Sequence, residues 1–217
     1  MGYTHYFPQQ RDFTTHEWSM IKKAFSKLHN NLKNVEFEKV FSADYCSSFS
    51  VTGKEGADVL IEPETSCGWD TFFTHKDLLK NGEAICFNGG AGLSHETFLI
   101  EKSPKEKPFS FCKTNGKPYD LMVTSMLIVC AGYAGGALKI GSDGDVDDWA
   151  QAIKFVSATL NKPTKISFDS EGNLKVEAPT TEEINNMEFE TIFKDTFVPT
   201  LNKKLKKVDL KIVENTE

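Results

Sequence analysis

The sequence predicts an α+β fold, a mostly antiparallel sheet with packed helices and one central apolar helix. Three observations carry this expectation. Strand-like and helix-like segments mix without the strict alternation that a parallel sheet requires. Short apolar runs face each other across polar, Gly-containing connections at 84–88 with 96–101 and at 164–168 with 173–177, as antiparallel hairpins do. The run 121–134 is apolar on most sides and so belongs inside the molecule.

Taken in order, residues 2–7 are short and aromatic, a strand pattern. Thr14-Thr15-His16-Glu17 is a capping box, with Thr14 as N-cap and Glu17 three positions on. Trp18, Ile21, Phe25, Leu28 and Leu32 then recur at helical spacing and predict an amphipathic helix over 15–32. Segments 35–41 and 58–62 read as strands joined by a Ser- and Gly-containing stretch, and 65–81 as a loop with a short helix at 75–80. In the first hairpin the connection Gly89-Gly90-Ala91-Gly92 is longer than a tight turn. A further strand is expected at 109–113, and Pro118 is expected at the first helical position of the central helix. Gly135-Gly136 ends that helix, 137–141 is a short strand, and Asp145 caps a helix whose stripe is Val146, Trp149, Ile153, Val156 and Leu160. Asp169-Ser170-Glu171-Gly172 turns the last hairpin.

From Pro179 the character changes. Phe189, Phe193 and Phe197 are four apart in a charged stretch, Pro199 interrupts it, and Val208, Leu210 and Ile212 alternate with charges. The expected organisation is a single α+β domain over 1–178 and a C-terminal helical and strand extension over 179–217.

Composition excludes several classes. The 217 residues carry a net charge of −6, and Arg11 is the one arginine among 25 basic residues. Phosphate neutralisation needs a basic face and guanine readout favours Arg, so no nucleic-acid partner is expected. The five cysteines, Cys46, Cys67, Cys86, Cys112 and Cys130, are widely spaced with no CxxC pair. Neither a zinc site nor a disulfide framework is expected, and the thiols are taken as reduced. Residues 1–6 lack the charged and apolar regions of a signal peptide, and 121–133 is too short and too rich in Gly, Ser and Thr to span a bilayer. A soluble, cytoplasmic protein with no membrane partner and no cofactor is the expectation.

Candidate site residues come from polar clusters at the ends of apolar runs, where ligand pockets are built. In the acidic run, Asp143, Asp145 and Asp147 have the opening spacing of a calcium loop, but its sixth and twelfth positions hold Asp148 and Lys154. No metal site is assigned, and Asp145, Asp147 and Asp148 are read as helix-capping acids. Asp143, at a strand end, is kept as a candidate. The glycine connection at 89–92 lacks the ending of a phosphate loop and is read as a turn. His95 and Glu96 are neighbours that point to opposite faces, so His95 with Thr97 is the better pair. Lys113 and Lys117 stand out of a Lys-rich segment, beside Tyr119 and Asp120 at the start of the central helix. Tyr3, His5, Tyr6 and Phe7 supply rings for stacking and polar tips for hydrogen bonds. The ligand site is expected to comprise Tyr3, His5, Tyr6, His95, Thr97, Lys113, Lys117, Tyr119 and Asp143. His95, Asp143 and Asp120 are the candidates for catalysis.

MGYTHYF at the start, HETF at 95–98, FCKTxxKPYD at 111–120 and SDGDxxDW at 142–149 resemble a family of bacteriophage and bacterial proteins that often open MGYTHYW and have no assigned activity. Phe7 stands where that family commonly has Trp, and the resemblance runs from Met1 to about Val156. It implies a phage or mobile-element setting and no mechanism. From the aromatic and Lys-rich clusters without a catalytic signature, and by analogy with that setting, the expectation is a counter-defence protein that sequesters a small anionic, nucleotide-like signal. Two other classes stay open: a hydrolase or phosphodiesterase degrading such a nucleotide, and a protein-interaction module with no small ligand. Homo-oligomerisation is also left open.

Overall fold

The computed structural model describes residues 3–32, 37–39, 49–51, 62–63, 81–89, 94–105 and 109–177. Among these residues, three helices and ten strands, every strand paired antiparallel, make a mixed α+β fold. Helix α1, Thr15–Asn31, begins with the expected reciprocal cap: the Thr14 hydroxyl accepts from the Glu17 amide at 3.2 Å, and the Glu17 carboxylate accepts from the Thr14 amide at 2.8 Å. Both bonds satisfy amides that the helix cannot. Trp18, Ile21, Ala24 and Leu28 form its buried face.

Glu17 also receives two bonds from the Arg11 guanidinium, at 2.8 and 2.9 Å. That pairing, together with the cap, pulls its carboxyl from the ordinary 4.5 to about 2. A lowered folded-state value means stability that is complete above about pH 4.5 and is lost as the pH falls toward 2. Arg11→Ala should flatten that part of the acid limb in urea titrations between pH 5 and 2.5. Arg11 is 41% exposed, so screening limits the effect to about 1 kcal/mol or less. An unchanged acid limb would show that the pair adds nothing to the cap.

Helix α2, Asp120–Tyr133, is buried continuously from Asp120 to Cys130. Its internal hydroxyls are satisfied within the helix: Thr124 donates to the Asp120 carbonyl at 2.7 Å and Ser125 to that of Leu121 at 2.6 Å. It packs against α1, against helix α3, Ala150–Leu160, and against the last strand. No helix among the described residues is long and apolar enough to cross a membrane.

The strands form several small sheets. One has β1, Thr4–Tyr6, in the centre, between β7, Phe111–Lys113, and β8, Gly141–Ser142. His5 faces Cys112 on one side and Ser142 on the other. A second has β5, Ala84–Asn88, between β4, Glu62–Pro63, and β6, Phe98–Glu101. Strands β9, Lys165–Phe168, and β10, Leu174–Glu177, form the expected final hairpin. β2, Phe37–Lys39, pairs with β3, Phe49–Val51, which lies in the stretch read as a connection.

Local corrections concern where elements start. Pro118 precedes the Tyr119 N-cap rather than occupying the first helical position, because a tighter turn runs from Lys117 into α2. Asp145 caps a short turn, not α3. It accepts from the Asp147 and Asp148 amides while Asp148 accepts from the Asp145 amide. Three-residue turns through Trp149 and Ala150 then lead into α3. Leu138 makes an isolated bridge to Gln9, so only the end of the strand expected at 137–141 is strand. Cys86 is disulfide-bonded, against the expectation of reduced thiols. Cys112 and Cys130 are free and buried. The helix expected at 75–80, most of the 89–92 connection, and the whole extension over 179–217 lie outside the described residues.

Candidate functional site

Strand β1 decides the arrangement. Its alternation sends Tyr3, His5 and Phe7 to one side and Thr4 and Tyr6 to the other.

On the inner side, His5 is 0% exposed and bonded at both ring nitrogens. Nε2 lies 2.8 Å from Asp120 Oδ1, and the Thr114 hydroxyl donates to that same oxygen at 2.5 Å. Nδ1 lies 3.0 Å from the Ser142 hydroxyl. A carboxylate only accepts, so Asp120 assigns the hydrogen to Nε2 and leaves Nδ1 to accept from Ser142. Ser142 Oγ in turn accepts from the Gly144 amide at 3.0 Å. The rings of Tyr3 and Trp149 meet His5 edge-on, with centroids at 4.9 and 5.3 Å. The result is a hydroxyl–imidazole–carboxylate chain walled by two aromatic rings.

Tyr119 lies further along the same interior. Its hydroxyl donates to the Glu96 carbonyl at 2.7 Å, and the Cys112 thiol donates to that carbonyl at 3.2 Å. Burial raises both groups, pushing the thiol up to about 12 and the phenol higher still. Cys112 is therefore a packed thiol rather than a reactive one.

The outer side of the same sheet is open around Tyr6, Phe109 and Phe111, while Thr4 on that side is buried. Phe111 and Lys113 alternate with the buried Cys112, and Phe109 continues their row. Phe109 is 66% and Phe111 47% exposed. Tyr6 lies across from Phe111, its ring 5.8 Å from that of Phe109, and Phe109 lies 6.1 Å from Phe111. Beyond Tyr6 the strand partner is Gly141, which adds no side chain. Asp143 ends the row: it accepts from the Thr4 amide at 3.0 Å and from the Tyr6 hydroxyl at 3.3 Å. Among the described residues no carboxylate pairs with the Lys113 ammonium.

No protein-family model, curated protein or solved structure matches this chain. The site therefore stands on its own geometry.

That geometry separates residues that the sequence reading put in one pocket. Tyr3, His5, Asp120 and Tyr119 are on the inner side; Tyr6, Lys113 and Asp143 are on the outer side. His95 and Thr97 lie at the first hairpin, where the Asn88 amide group donates to the His95 carbonyl and the Thr97 hydroxyl. The His95 ring is exposed and holds no hydrogen bond, so it has no partner for acid–base work. Lys117 is spent on the Ser94 carbonyl, which ties that hairpin to the start of α2. Among the described residues, no group of three or more His, Cys, Asp or Glu side chains is arranged to hold a metal ion. Ser142, Thr114 and Trp149 were not among the expected site residues, because they join His5 only through pairing across more than a hundred residues. Phe109 and Phe111 were missed for another reason: their alternation with Cys112 was visible, but not which face lies uncovered.

Proposed function

We propose that the chain binds a small anionic, nucleotide-like molecule on the outer face of the β7–β1–β8 sheet. The observation that supports this is the ring cluster of exposed Phe109 and Phe111 with half-buried Tyr6, beside Lys113. Exposed aromatic rings on a sheet offer stacking platforms to any base, and a neighbouring ammonium neutralises phosphate. The Tyr6 hydroxyl and the Asp143 carboxylate add polar groups at the rim, the carboxylate suited to an exocyclic amino group. In the phage setting that the motif resemblance implies, such a binder acts in counter-defence by sequestering a signalling nucleotide in the host cytoplasm. Residues 1–178 then serve as one domain built around α2 as its central apolar helix, with 179–217 as an extension.

The test is depletion of a panel of linear and cyclic nucleotides by the pure protein, followed by release on heating. Phe109→Ala, Phe111→Ala and Lys113→Ala should each weaken capture without moving the melting temperature, because these side chains are exposed or half-buried. Loss of one stacked base costs about 1–3 kcal/mol. Release of intact ligand supports sequestration, and new product masses point to degradation. Undiminished capture in all three variants, or no depletion of any nucleotide, ends this reading. In the second case, loss of a host protein partner in the same variants would reassign the aromatic face to protein docking.

A further inference from the structure

The rings of the outer face sit on a regular grid. Thr4 faces Lys113 and Tyr6 faces Phe111. The Phe7 amide donates to the Ser110 carbonyl at 2.8 Å, which carries that register one step further and sets Phe109 opposite Pro8. On the other flank Tyr6 faces Gly141, the Lys139 amide donates to the Pro8 carbonyl at 3.1 Å, and the Asp143 amide donates to the Thr4 carbonyl at 3.0 Å. The rows of this face are therefore Phe109–Pro8–Lys139, Phe111–Tyr6–Gly141 and Lys113–Thr4–Asp143. Same-face residues of one strand lie about 6.6 Å apart, so Phe109, Phe111 and Lys113 form an evenly spaced column.

Ring geometry and charge set the size of the ligand that this column fits. The Phe109 and Phe111 centroids are 6.1 Å apart and their planes are inclined by 40°. Holding one base between two rings needs parallel planes roughly 7 Å apart, twice the ~3.4 Å base spacing. These rings are too close and too tilted for that, so each offers a face of its own. Both side chains are exposed, and successive bases of one ligand can lie on successive rings. Lys113 ends the column, and among the described residues no carboxylate pairs with it. The other cation of the face, Lys139, is met by Glu171 at 3.4 Å. Asp143 holds the remaining corner. One uncompensated cation suits one phosphate. A triphosphate or a long strand would crowd further negative charge against Asp143 and Glu171.

We infer, building on the nucleotide reading above, that the ligand is a dinucleotide, with one base on Phe109, the next on Phe111, and a single phosphodiester between them neutralised by Lys113. The flexible four-carbon stem of the lysine lets its ammonium reach back along the column to that phosphate. Tyr6, whose ring lies 5.8 Å from that of Phe109, braces the pair from the neighbouring strand. A mononucleotide leaves one ring unused.

The test is isothermal titration of the full chain with homodinucleoside monophosphates of the common bases, the matching mononucleotides, and a strand of about ten nucleotides of the best-bound base. The best dinucleotide should bind about tenfold or more tighter than its mononucleotide, because the second base is already tethered when the first is stacked. The mononucleotide carries the greater phosphate charge, so charge alone would give the opposite order. Phe109→Ala and Phe111→Ala should each weaken the dinucleotide about tenfold and the mononucleotide only about twofold, since a lone base still has the other ring. Both variants should keep the melting temperature, as both side chains are exposed. Equal affinity for dinucleotide and mononucleotide would overturn the two-base assignment and leave the nucleotide reading standing. A gain for the longer strand well above the about tenfold expected from its extra registers would also overturn it, in favour of single-stranded nucleic acid. Failure of every probe to bind would end both readings.

Discussion

Asp120→Ala should destabilise the protein by about 2–6 kcal/mol, about 1–3 kcal/mol for each of the two buried donors it leaves without an acceptor. The magnitude follows from what the carboxylate holds. One oxygen, Oδ1, accepts from both His5 Nε2 and the Thr114 hydroxyl, and the residue is buried. Alanine would orphan both donors at once, in an interior where water cannot replace the lost acceptor. Asp120→Asn provides the control. Its amide oxygen can take over both bonds, which go to a single atom, so only the charge is removed. The expected loss there is about 1–2 kcal/mol, the difference between charged and neutral hydrogen bonds. Guanidinium unfolding of the two variants measures both. If alanine and asparagine cost the same, charge rather than hydrogen bonding holds the inner site together.

Gly144→Ala should cost about 1–3 kcal/mol, the range for forcing extra atoms into a packed site. A Cβ at this position would lie 2.2 Å from Tyr3 Oη, 2.6 Å from its Cε2 and 2.7 Å from an Asp148 carboxylate oxygen. No small adjustment relieves three such contacts, so the Tyr3 ring must leave its edge-on place against His5. The backbone of Gly144 is not in the left-handed region, so its role is space rather than conformation. The double variant with Tyr3→Ala separates these causes. Once the ring is gone, Gly144→Ala should add little further loss, giving a coupling of similar size to the single effect. Simple additivity would show that the ring does not rest on Gly144.

How much of this was legible in the sequence varies by residue. The cap at Thr14 and Glu17 was, because it involves four consecutive residues and a backbone pattern common to all helix starts. The hairpins at Ala84–Glu101 and Lys165–Glu177 were too, since each strand pairs with its neighbour in the chain. Pro118 and Asp145 were misplaced by one short turn, because the same signals open a three-residue turn and a full helix. Phe49–Val51 was passed over, being too short to show alternation. His95 attracted attention as a histidine beside polar neighbours, yet among the described residues the histidine with two ring partners is His5.

The sequence by itself determined the mixed α+β class, the cap of α1, the hairpins and the alternation of β1 and β7. All of these depend on hydrogen bonds and apolar spacing among residues a few positions apart. Only the tertiary structure decided that His5 meets Asp120 and Ser142, which lie 115 and 137 positions away. It likewise decided that Phe109 and Phe111 face outward while Cys112 faces in. Those outcomes depend on which strands pair, in what register, and which face the remaining elements cover. Such choices are made by packing of the whole chain and leave no mark in any short stretch of it.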